Sequence, residues 1–497
     1  MSQTEGGAAF EPRRASDVKA WDHEADVVVM GLGCAGACAA IGAAESGADV
    51  LAVERASGGG GTSANSGGQI YIGGGTRIQR ACGFEDSPEE MFKYLMASCG
   101  PSPDPALVSV FSERSVEHFE WLAGQGVPFK ESYFPGGYEP PLDDCLTFSG
   151  SEDVYPYAEI ARPAPRGHSP RAIGSKGPIL MRMLLAAVER ARVRTLFDAR
   201  GQRLIAESDG RIRGVVVRAG GSERCVRARR GVVLTAGGFS YNDEMLERYA
   251  PRLLKCSFRL GTEADDGSGI LMGAAGGGAL LRMEAGDISL PLYPPLELRR
   301  GVLVNQYGQR FINEDAYMGV LGEHSILHQE GRVFMLLDER NFRRPEVFEC
   351  EVAAVGESVA EIEAELGIPS PGLQNTLSLY NTYAERGEDP LFHKRADYLT
   401  PLTRPPYGAL DLRAESVGYA LVTLGGLHID PDGAVLGASG ERVAGLFAAG
   451  RTTSGISKQG YSSGISLGDA SFFGRRAGRA AAAGPDRAGG VDRPKAG

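Results

Sequence analysis

The sequence predicts an α/β fold in which a Rossmann-like domain is split by an inserted α+β domain. The first observation behind this prediction is residues 25–55, where an apolar strand leads into a glycine-rich turn, an alanine-rich helix and a second strand. The second is a pair of later apolar stretches, 230–238 and 441–450, which both end in small residues. Each reads as a strand whose carboxyl end meets a dinucleotide. Because residues 239–440 separate the two stretches, we expect another domain to be inserted between them.

The stretch 25–55 has the order of parts that a dinucleotide-binding unit requires. Gly31 makes the tight turn, Gly33 lets a pyrophosphate approach the backbone, and Gly36 lets the helix pack on the strand. The amides at the start of the helix favour phosphate binding. Glu54, at the end of the second strand, is placed to accept hydrogen bonds from a ribose diol and would repel a 2′-phosphate.

The segment that follows distinguishes between two dinucleotides. Residues 55–76, "RASGGGGTSANSGGQIYIGGGT", are rich in Gly and Ser where an NAD dehydrogenase would continue into its next helix. Such a loop suits a larger ligand, FAD, whose pyrophosphate, ribityl chain and isoalloxazine take many backbone amides. A flexible linker is the alternative, but the strand-like "QIYIGG" follows the loop at once.

The composition excludes several classes of function. The chain has 497 residues and a formal net charge of −11 without a basic stripe, so nucleic acid is not an expected partner. The eight cysteines are scattered, with Cys34 and Cys38 expected to be buried thiols, which favours a reduced, cytoplasmic protein. We expect no secretory signal and no membrane span. His324 and His328 have helical spacing without a third ligand, so no metal site is predicted.

Several motifs together resemble the superfamily of fumarate reductases and 3-ketosteroid dehydrogenases. They are "GGTSANSGG" (60–68), "TAGGF" (235–239), "TEADDGSGILMGAAGG" (262–277), "GVLVNQYGQRFINED" (301–315), "TLGGLHID" (423–430) and the C-terminal "AAGR…GDA" block. The resemblance implies a glutathione-reductase-like FAD domain split by a catalytic or capping domain. The implied parts are an N-terminal extension (1–23), the first part of the FAD domain (24–285), the capping domain (286–423), the second part of the FAD domain (424–485) and a disordered tail (486–497).

These motifs and the resemblance give one set of positions for FAD. The residues expected to contact it are Gly31, Gly33, Ala35, Gly36, Glu54, Arg55, Thr62, Ser63, Ser66, Gly67, Gly68, Ala236, Gly237, Gly238, Asp266, Gly450, Arg451, Ser466 and Leu467. None of the histidines has a context for covalent attachment, so we expect non-covalent binding. No second glycine motif for NAD is visible. We therefore expect an external electron acceptor, quinone-like or other; the oligomeric state is not predicted.

The turn "SKQGYSSGISLGDA" (457–470) distinguishes the branches of the superfamily. Fumarate reductases carry a His and an Arg at the positions that align with Ser457 and Tyr461, so a dicarboxylate substrate is disfavoured. The turn and the segment "PAPRGH" (163–168) resemble the 3-ketosteroid Δ4-(5α)-dehydrogenases. That resemblance implies that Tyr461 and Ser463 are catalytic and makes Tyr317, in "NEDAYMG", a third candidate.

The resulting hypothesis is removal of two hydrogens from a 3-keto-5α-steroid. A hydride leaves C5 for the flavin, and a proton leaves C4 for the Tyr461/Ser463 pair, with Tyr317 assisting. Three alternatives stay open at this point: a 3-ketosteroid Δ1-dehydrogenase, a reductase of an unsaturated acid such as fumarate or urocanate, and a flavoprotein without enzymatic activity.

Overall fold

The computed structural model of the chain describes residues 10–137 and 139–484. Its strands are β1 (Arg13–Arg14), β2 (His23–Met30), β3 (Val50–Val53), β4 (Ile70–Tyr71), β5 (Leu146–Thr147), β6 (Gly167–His168), β7 (Arg194–Leu196), β8 (Ala199–Ala206), β9 (Ile212–Ala219), β10 (Ser222–Leu234), β11 (Phe258–Arg259), β12 (Leu280–Leu281), β13 (Gly286–Ser289), β14 (Val302–Asn305), β15 (Val333–Asp338), β16 (Val352–Gly356), β17 (Tyr407–Asp411), β18 (Ala420–Thr423), β19 (Gly426–Leu427), β20 (Ala434–Leu436) and β21 (Arg442–Ala448).

The α-helices of the described residues are α1 (Cys34–Glu45), α2 (Gly61–Ala64), α3 (Arg77–Ala81), α4 (Pro88–Ser98), α5 (Pro105–Glu113), α6 (Ser115–Gly124), α7 (Tyr157–Ile160), α8 (Gly177–Arg190), α9 (Asp243–Tyr249), α10 (Ser268–Ala275), α11 (Met318–Glu323), α12 (Val359–Glu365), α13 (Gly372–Ala384) and α14 (Ile465–Ala483). The predicted tail, 486–497, and the first nine residues of the predicted extension lie outside the described residues. In the described ranges, no helix combines the length and the apolarity that crossing a bilayer requires.

The largest sheet of the described residues has the strand order β1-β8-β9-β10-β2-β3-β7, and β21 joins it beside β10. Strands β21, β10, β2, β3 and β7 run parallel, while β8 and β9 form an antiparallel extension next to β10. Val27, Val28 and Val29 of β2 are completely buried, as expected for a parallel strand covered on both faces. The βαβ unit predicted from residues 25–55 is confirmed by β2, α1 and β3.

Helices α1 and α14 pack closely because small residues line their contact. A Cβ on Gly478 would lie 1.9 Å from the carbonyl oxygen of Ala39, and one on Gly474 would lie 2.4 Å from that of Ala35. The glycines therefore allow the backbones of the two helices to approach each other directly. This packing fixes the middle of α14, around Gly474 and Gly478, against the first half of α1.

The chain between the two halves of the large sheet forms its own layers. Strands β14, β15, β17 and β16 form an antiparallel sheet, and β11, β18 and β13 form a smaller one. The core of the large sheet draws on residues from Ala25 to Met272 and again from Leu427 to Ala482, whereas two further cores lie within 239–421. This arrangement confirms the predicted α/β fold class with an inserted domain. The exact boundaries at 286 and 423 stay a prediction.

Candidate active site

A cleft of about 500 Å³ lies at the carboxyl ends of the parallel strands. It faces the three-stranded sheet formed by β11, β18 and β13. Its volume is in the usual range for small-molecule sites. All but three of the positions predicted for the cofactor line it: Gly31, Gly33, Ala35, Glu54, Arg55, Thr62, Ser63, Ser66, Gly67, Gly68, Ala236, Gly237, Gly450, Arg451, Ser466 and Leu467. The predicted catalytic residues, Tyr317, Tyr461 and Ser463, line the same cleft. Residues far apart in the sequence are thus brought to one site.

The turn after β2 is built to approach a ligand closely. Gly31 has a φ of +100°, and a Cβ there would lie 2.6 Å from the carbonyl oxygen of Thr235. Gly33 is the N-cap of α1, whose first amides have no partner within the helix. Buried Glu54 accepts hydrogen bonds from the amide of Leu32 at 2.8 Å and from that of Ala56 at 2.9 Å. The carboxylate is thereby fixed at the end of β3, beside the cleft.

Two of the predicted glycines do not line the cleft but pack behind it. A Cβ on Gly36 would lie 1.9 Å from the carbonyl oxygen of Gly31, so this glycine allows the helix to contact the turn. A Cβ on Gly238 would lie 2.5 Å from Oγ1 of Thr423, and its amide donates to Asp265 at 3.1 Å. Both glycines therefore shape the site from outside it.

Asp266 also lies outside the lining, whereas its neighbour Asp265 lines the cleft. Asp266 pairs with Arg55 at 3.0 Å and with Arg200 at 2.9 Å, and its other carboxylate oxygen accepts from an amide at the start of α10. Asp265 accepts hydrogen bonds from Thr62 at 2.7 Å and from Arg451 at 2.7 Å. Both aspartates belong to the sequence motif "ADDG". The motif alone does not tell which of the two side chains faces the cleft, because that depends on the conformation of the backbone.

Two buried polar atoms in the cleft have the chemistry of ligand-binding groups. Within the described residues, Oγ of Ser466 and Nη1 of Arg451 are buried without a hydrogen-bond partner. Buried polar groups are normally hydrogen-bonded, so unpartnered ones that line a cleft indicate a ligand. With the Gly31 turn and the first amides of α1, they provide donors for phosphate and carbonyl oxygens along the cleft. The residues fit an FAD molecule.

The three-stranded sheet forms the opposite wall with alternate side chains. In its register Asp287 lies opposite Val422, and Ala420 pairs with both Ser289 and Phe258. Residues two apart along a strand share a face. The face towards the cleft therefore carries Phe258, Leu260, Ala420, Val422, Asp287 and Ser289, while the opposite face carries Ile288 and Leu421, which are completely buried. Most of this wall is apolar.

The phenol of Tyr461 lies at the beginning of α14. Its oxygen accepts a hydrogen bond from the amide of Ser466 at 3.2 Å. Burial, with a further contribution from the charge of Asp287, raises the pKa of Tyr461 to about 12, although the hydrogen bond from the amide of Ser466 acts in the opposite direction. At neutral pH the hydroxyl is therefore protonated. Desolvation of the phenolate outweighs its stabilisation by these neighbours.

The loop 149–152 connects the two sides of the site. The amide of Ser463 donates to the carbonyl oxygen of Ser149 at 2.7 Å, and the amide of Tyr317 donates to Oγ of Ser151 at 3.0 Å. The amide of Ser151 in turn donates to the hydroxyl of Tyr94 at 3.0 Å. One short loop therefore holds the backbone of two of the three predicted catalytic residues, Ser463 and Tyr317, at a fixed separation.

Every cation that lines the cleft within the described residues is paired with an aspartate, although Arg55 and Arg200 share one. Arg55 and Arg200 pair with Asp266, and Arg451 pairs with Asp265 at 2.7 Å. Lys458, the lysine of the C-terminal turn, lies outside the lining and pairs with Glu284 at 3.4 Å. The site thus offers hydroxyls and apolar surface where a dicarboxylate would need free positive charge.

Residues 26–467 match the family model described as the FAD binding domain. The chain belongs to this family. It is 32% identical to a 3-oxo-5-alpha-steroid 4-dehydrogenase of Comamonas testosteroni, over 89% of this chain and 95% of that protein. It is 45% identical to a solved structure, the 3-ketosteroid-delta4-(5alpha)-dehydrogenase of Rhodococcus jostii RHA1 in complex with 4-androstene-3,17-dione; the TM-score is 0.91, with coverage of 95% of this chain and 100% of that one.

A more distant relative is the fumarate reductase (cytochrome) of Shewanella frigidimarina, 27% identical over 95% of this chain and 79% of that protein. The resemblance to fumarate reductases and 3-ketosteroid dehydrogenases is confirmed, and so is the expectation of FAD as cofactor. The sequence did not indicate Asp287, Ser289 or the loop 149–152, and it did not distinguish Asp265 from Asp266. Their only sequence signal is a charged residue within an apolar strand and a Ser/Gly run without a recognised motif.

Proposed function

We propose that this protein is an FAD-dependent 3-ketosteroid dehydrogenase that introduces a C4–C5 double bond into 3-keto-5α-steroids. The observation that carries the proposal is a cleft beside the flavin positions that combines an apolar sheet face with the hydroxyls of Tyr317, Tyr461 and Ser463. A neutral, apolar ketone matches both features, whereas an anionic substrate matches neither. The names of the two steroid dehydrogenases among the relatives support the same substrate class.

The side chains divide the work between binding and proton transfer. Phe258, Leu260 and Val422 provide an apolar wall for the steroid rings, and their burial of the substrate excludes water. Bound FAD supplies the oxidant for the hydride that leaves C5. The C3 ketone acidifies the C4 hydrogen, and the Ser463/Tyr461 pair receives it as a proton. Because the hydroxyl of Tyr461 is protonated at neutral pH, the pair can accept the C4 proton only by passing another proton onward.

We further propose that FAD is held non-covalently and that an external acceptor reoxidises it. Cleft-lining hydroxyls and amides account for binding without a covalent bond. Acid precipitation tests this point: released yellow flavin is expected, and flavin that stays with the pellet would contradict it. A cytoplasmic location is proposed as well, because the cysteines are free thiols, and Cys34 and Cys38 are buried.

An anaerobic titration with 5α-androstane-3,17-dione tests the proposed activity. We expect the visible flavin absorption of the purified protein to bleach in proportion to the added steroid. The matched test for the reductase alternative is addition of fumarate or urocanate to dithionite-reduced protein. Reoxidation by either acid without bleaching by the steroid would overturn the proposal.

A further inference from the structure

Asp287 is a buried carboxylate in the cleft for which the reaction described so far has no use. Its side chain lies on the face of β13 that lines the cleft, and the residue is only 5% exposed. Its two oxygens accept long hydrogen bonds from Oγ of Ser289, at 3.2 and 3.3 Å. No ion pair to it exists within the described residues. A buried carboxylate with so little compensation is costly, which makes a functional role in the cleft the reasonable inference.

The surroundings place Asp287 beside Tyr317 and within electrostatic range of Tyr461. At the position that a Cβ on Gly319 would occupy, Oδ1 of Asp287 lies 3.0 Å away and Cε1 of Tyr317 lies 2.7 Å away, so the two side chains flank this glycine. The charge of Asp287 is also close enough to Tyr461 to raise the pKa of its phenol. Within the part of the chain that the structure describes, the remaining titratable groups that face Asp287 are Glu323 on α11 and Cys256 before β11.

The carboxyl group of Asp287 has a much lower pKa than the phenol of Tyr461. Burial, with a further contribution from Glu323, raises the pKa of Asp287 to about 7, and the bond from Ser289 opposes the shift. The pKa of Tyr461 is about 12, so its phenolate would not persist at neutral pH. Proton transfer is most effective when the acceptor has a pKa near the working pH. Of Asp287 and Tyr461, it is Asp287 that meets that condition.

We propose that Asp287 is the group that holds the proton removed from C4, receiving it through the hydroxyls of the Ser463/Tyr461 pair; this inference rests on the proposed function. The C4–H bond breaks and its electron pair forms the C4–C5 double bond, while the C5 hydrogen leaves with its own pair as hydride to FAD. The C4 proton passes to a hydroxyl, whose own proton passes to the carboxylate of Asp287. Solvent then takes the proton from Asp287.

Hydrogen exchange at C4 isolates this proton transfer from the redox step. With dithionite-reduced flavin, dehydrogenation is blocked, and 5α-androstane-3,17-dione is incubated with the protein in D₂O while mass spectrometry follows deuterium at C4. For the unmodified protein we expect an exchange rate that rises with pH and levels off above about pH 7, as Asp287 ionises. For Asp287→Asn we expect exchange to slow by about 100-fold or more and to lose this inflection, and Asp287→Glu should restore part of both.

Controls separate a role in proton transfer from a role in folding. Asp338→Asn changes another buried aspartate, whose contacts lie in the capping sheet, and should leave the exchange profile unchanged. Ser289→Ala removes the hydroxyl that lowers the pKa of Asp287, so the inflection should move to higher pH. Flavin content and binding of 4-androstene-3,17-dione should be preserved in each variant.

Two results would overturn the inference. One is an Asp287→Asn protein that exchanges C4 hydrogen at the unmodified rate with the same pH profile. The other is an inflection that stays in place in Ser289→Ala. If instead the unmodified protein neither bleaches with the steroid nor exchanges its C4 hydrogen, the proposed function itself fails.

Discussion

Replacing Tyr461 with Phe removes one hydroxyl from the centre of the site. The phenolic oxygen accepts from the amide of Ser466 at 3.2 Å, so the change leaves that amide without its acceptor at the beginning of α14. Loss of one such hydrogen bond costs about 1–3 kcal/mol of folding free energy. Typical domains have about 5–15 kcal/mol, so we expect the variant to fold and to stay yellow.

The effect of Tyr461→Phe on the reaction should be much larger than its effect on folding. A positioned proton-transfer group contributes about 10²–10⁴ in rate, which is about 3–5 kcal/mol of activation free energy. Substrate binding rests mainly on the apolar wall, so KM should change little. The assay is anaerobic stopped-flow reduction of the flavin by 5α-androstane-3,17-dione, with flavin content measured on the same sample.

A matched variant controls for the loss of a buried tyrosine hydroxyl. Tyr419 is completely buried in the capping region, and its hydroxyl donates to the carbonyl oxygen of Leu412 at 2.8 Å. Tyr419→Phe should lower stability by a similar amount and leave the rate of flavin reduction close to that of the unmodified protein. A Tyr461→Phe protein that reduces its flavin within about threefold of the normal rate would refute the assigned role, because proton-transfer groups contribute far more.

Three further predictions follow from other contacts. Ser151→Ala should lower kcat about tenfold with little change in KM, because the amide of Tyr317 loses its acceptor. An unchanged kcat would contradict the role of loop 149–152. Gly478→Ala should lower the midpoint of thermal unfolding and reduce the free energy of unfolding by about 3 kcal/mol or more. The reason is that the new Cβ would lie 1.9 Å from the carbonyl oxygen of Ala39. An unchanged midpoint would contradict the close packing of the two helices. Burial raises the pKa of Glu152 from 4.5 to about 7, so the folded protein keeps a proton that the unfolded chain loses. Stability should therefore fall by about 3 kcal/mol as pH rises from about 4.5 to 7, and Glu152→Gln should flatten this decline in denaturant titrations; an equally steep decline in the variant would contradict the assignment.

The parts of the site that depend on local spacing could be predicted from the sequence. The βαβ unit, the loop 60–68 and the turn 457–470 each place their ligand-facing residues within a few positions of a glycine or a helix start. Gly31, Gly33 and Tyr461 are of this kind, and all three line the cleft. In such segments the backbone conformation follows from the residues themselves, so the pattern is sufficient.

The parts that depend on strand register could not be predicted in this way. Asp287 reaches the cleft because β13 pairs with β18, more than a hundred positions later, in a register that directs it inward. Ser151 matters through a hydrogen bond to Tyr317, 166 positions away in the sequence. Asp266 was predicted to contact the cofactor, yet it is Asp265 that lines the cleft, because a motif identifies a turn without specifying which of two adjacent side chains faces inward.

The position of the new double bond tests the central claim most directly. Stoichiometric 5α-androstane-3,17-dione is added to the anaerobic protein, and the steroid recovered after a single turnover is identified by chromatography and mass spectrometry against authentic standards. We predict 4-androstene-3,17-dione as the product. Recovery of the 1-ene isomer, or of unchanged steroid with the flavin still oxidised, would contradict the account.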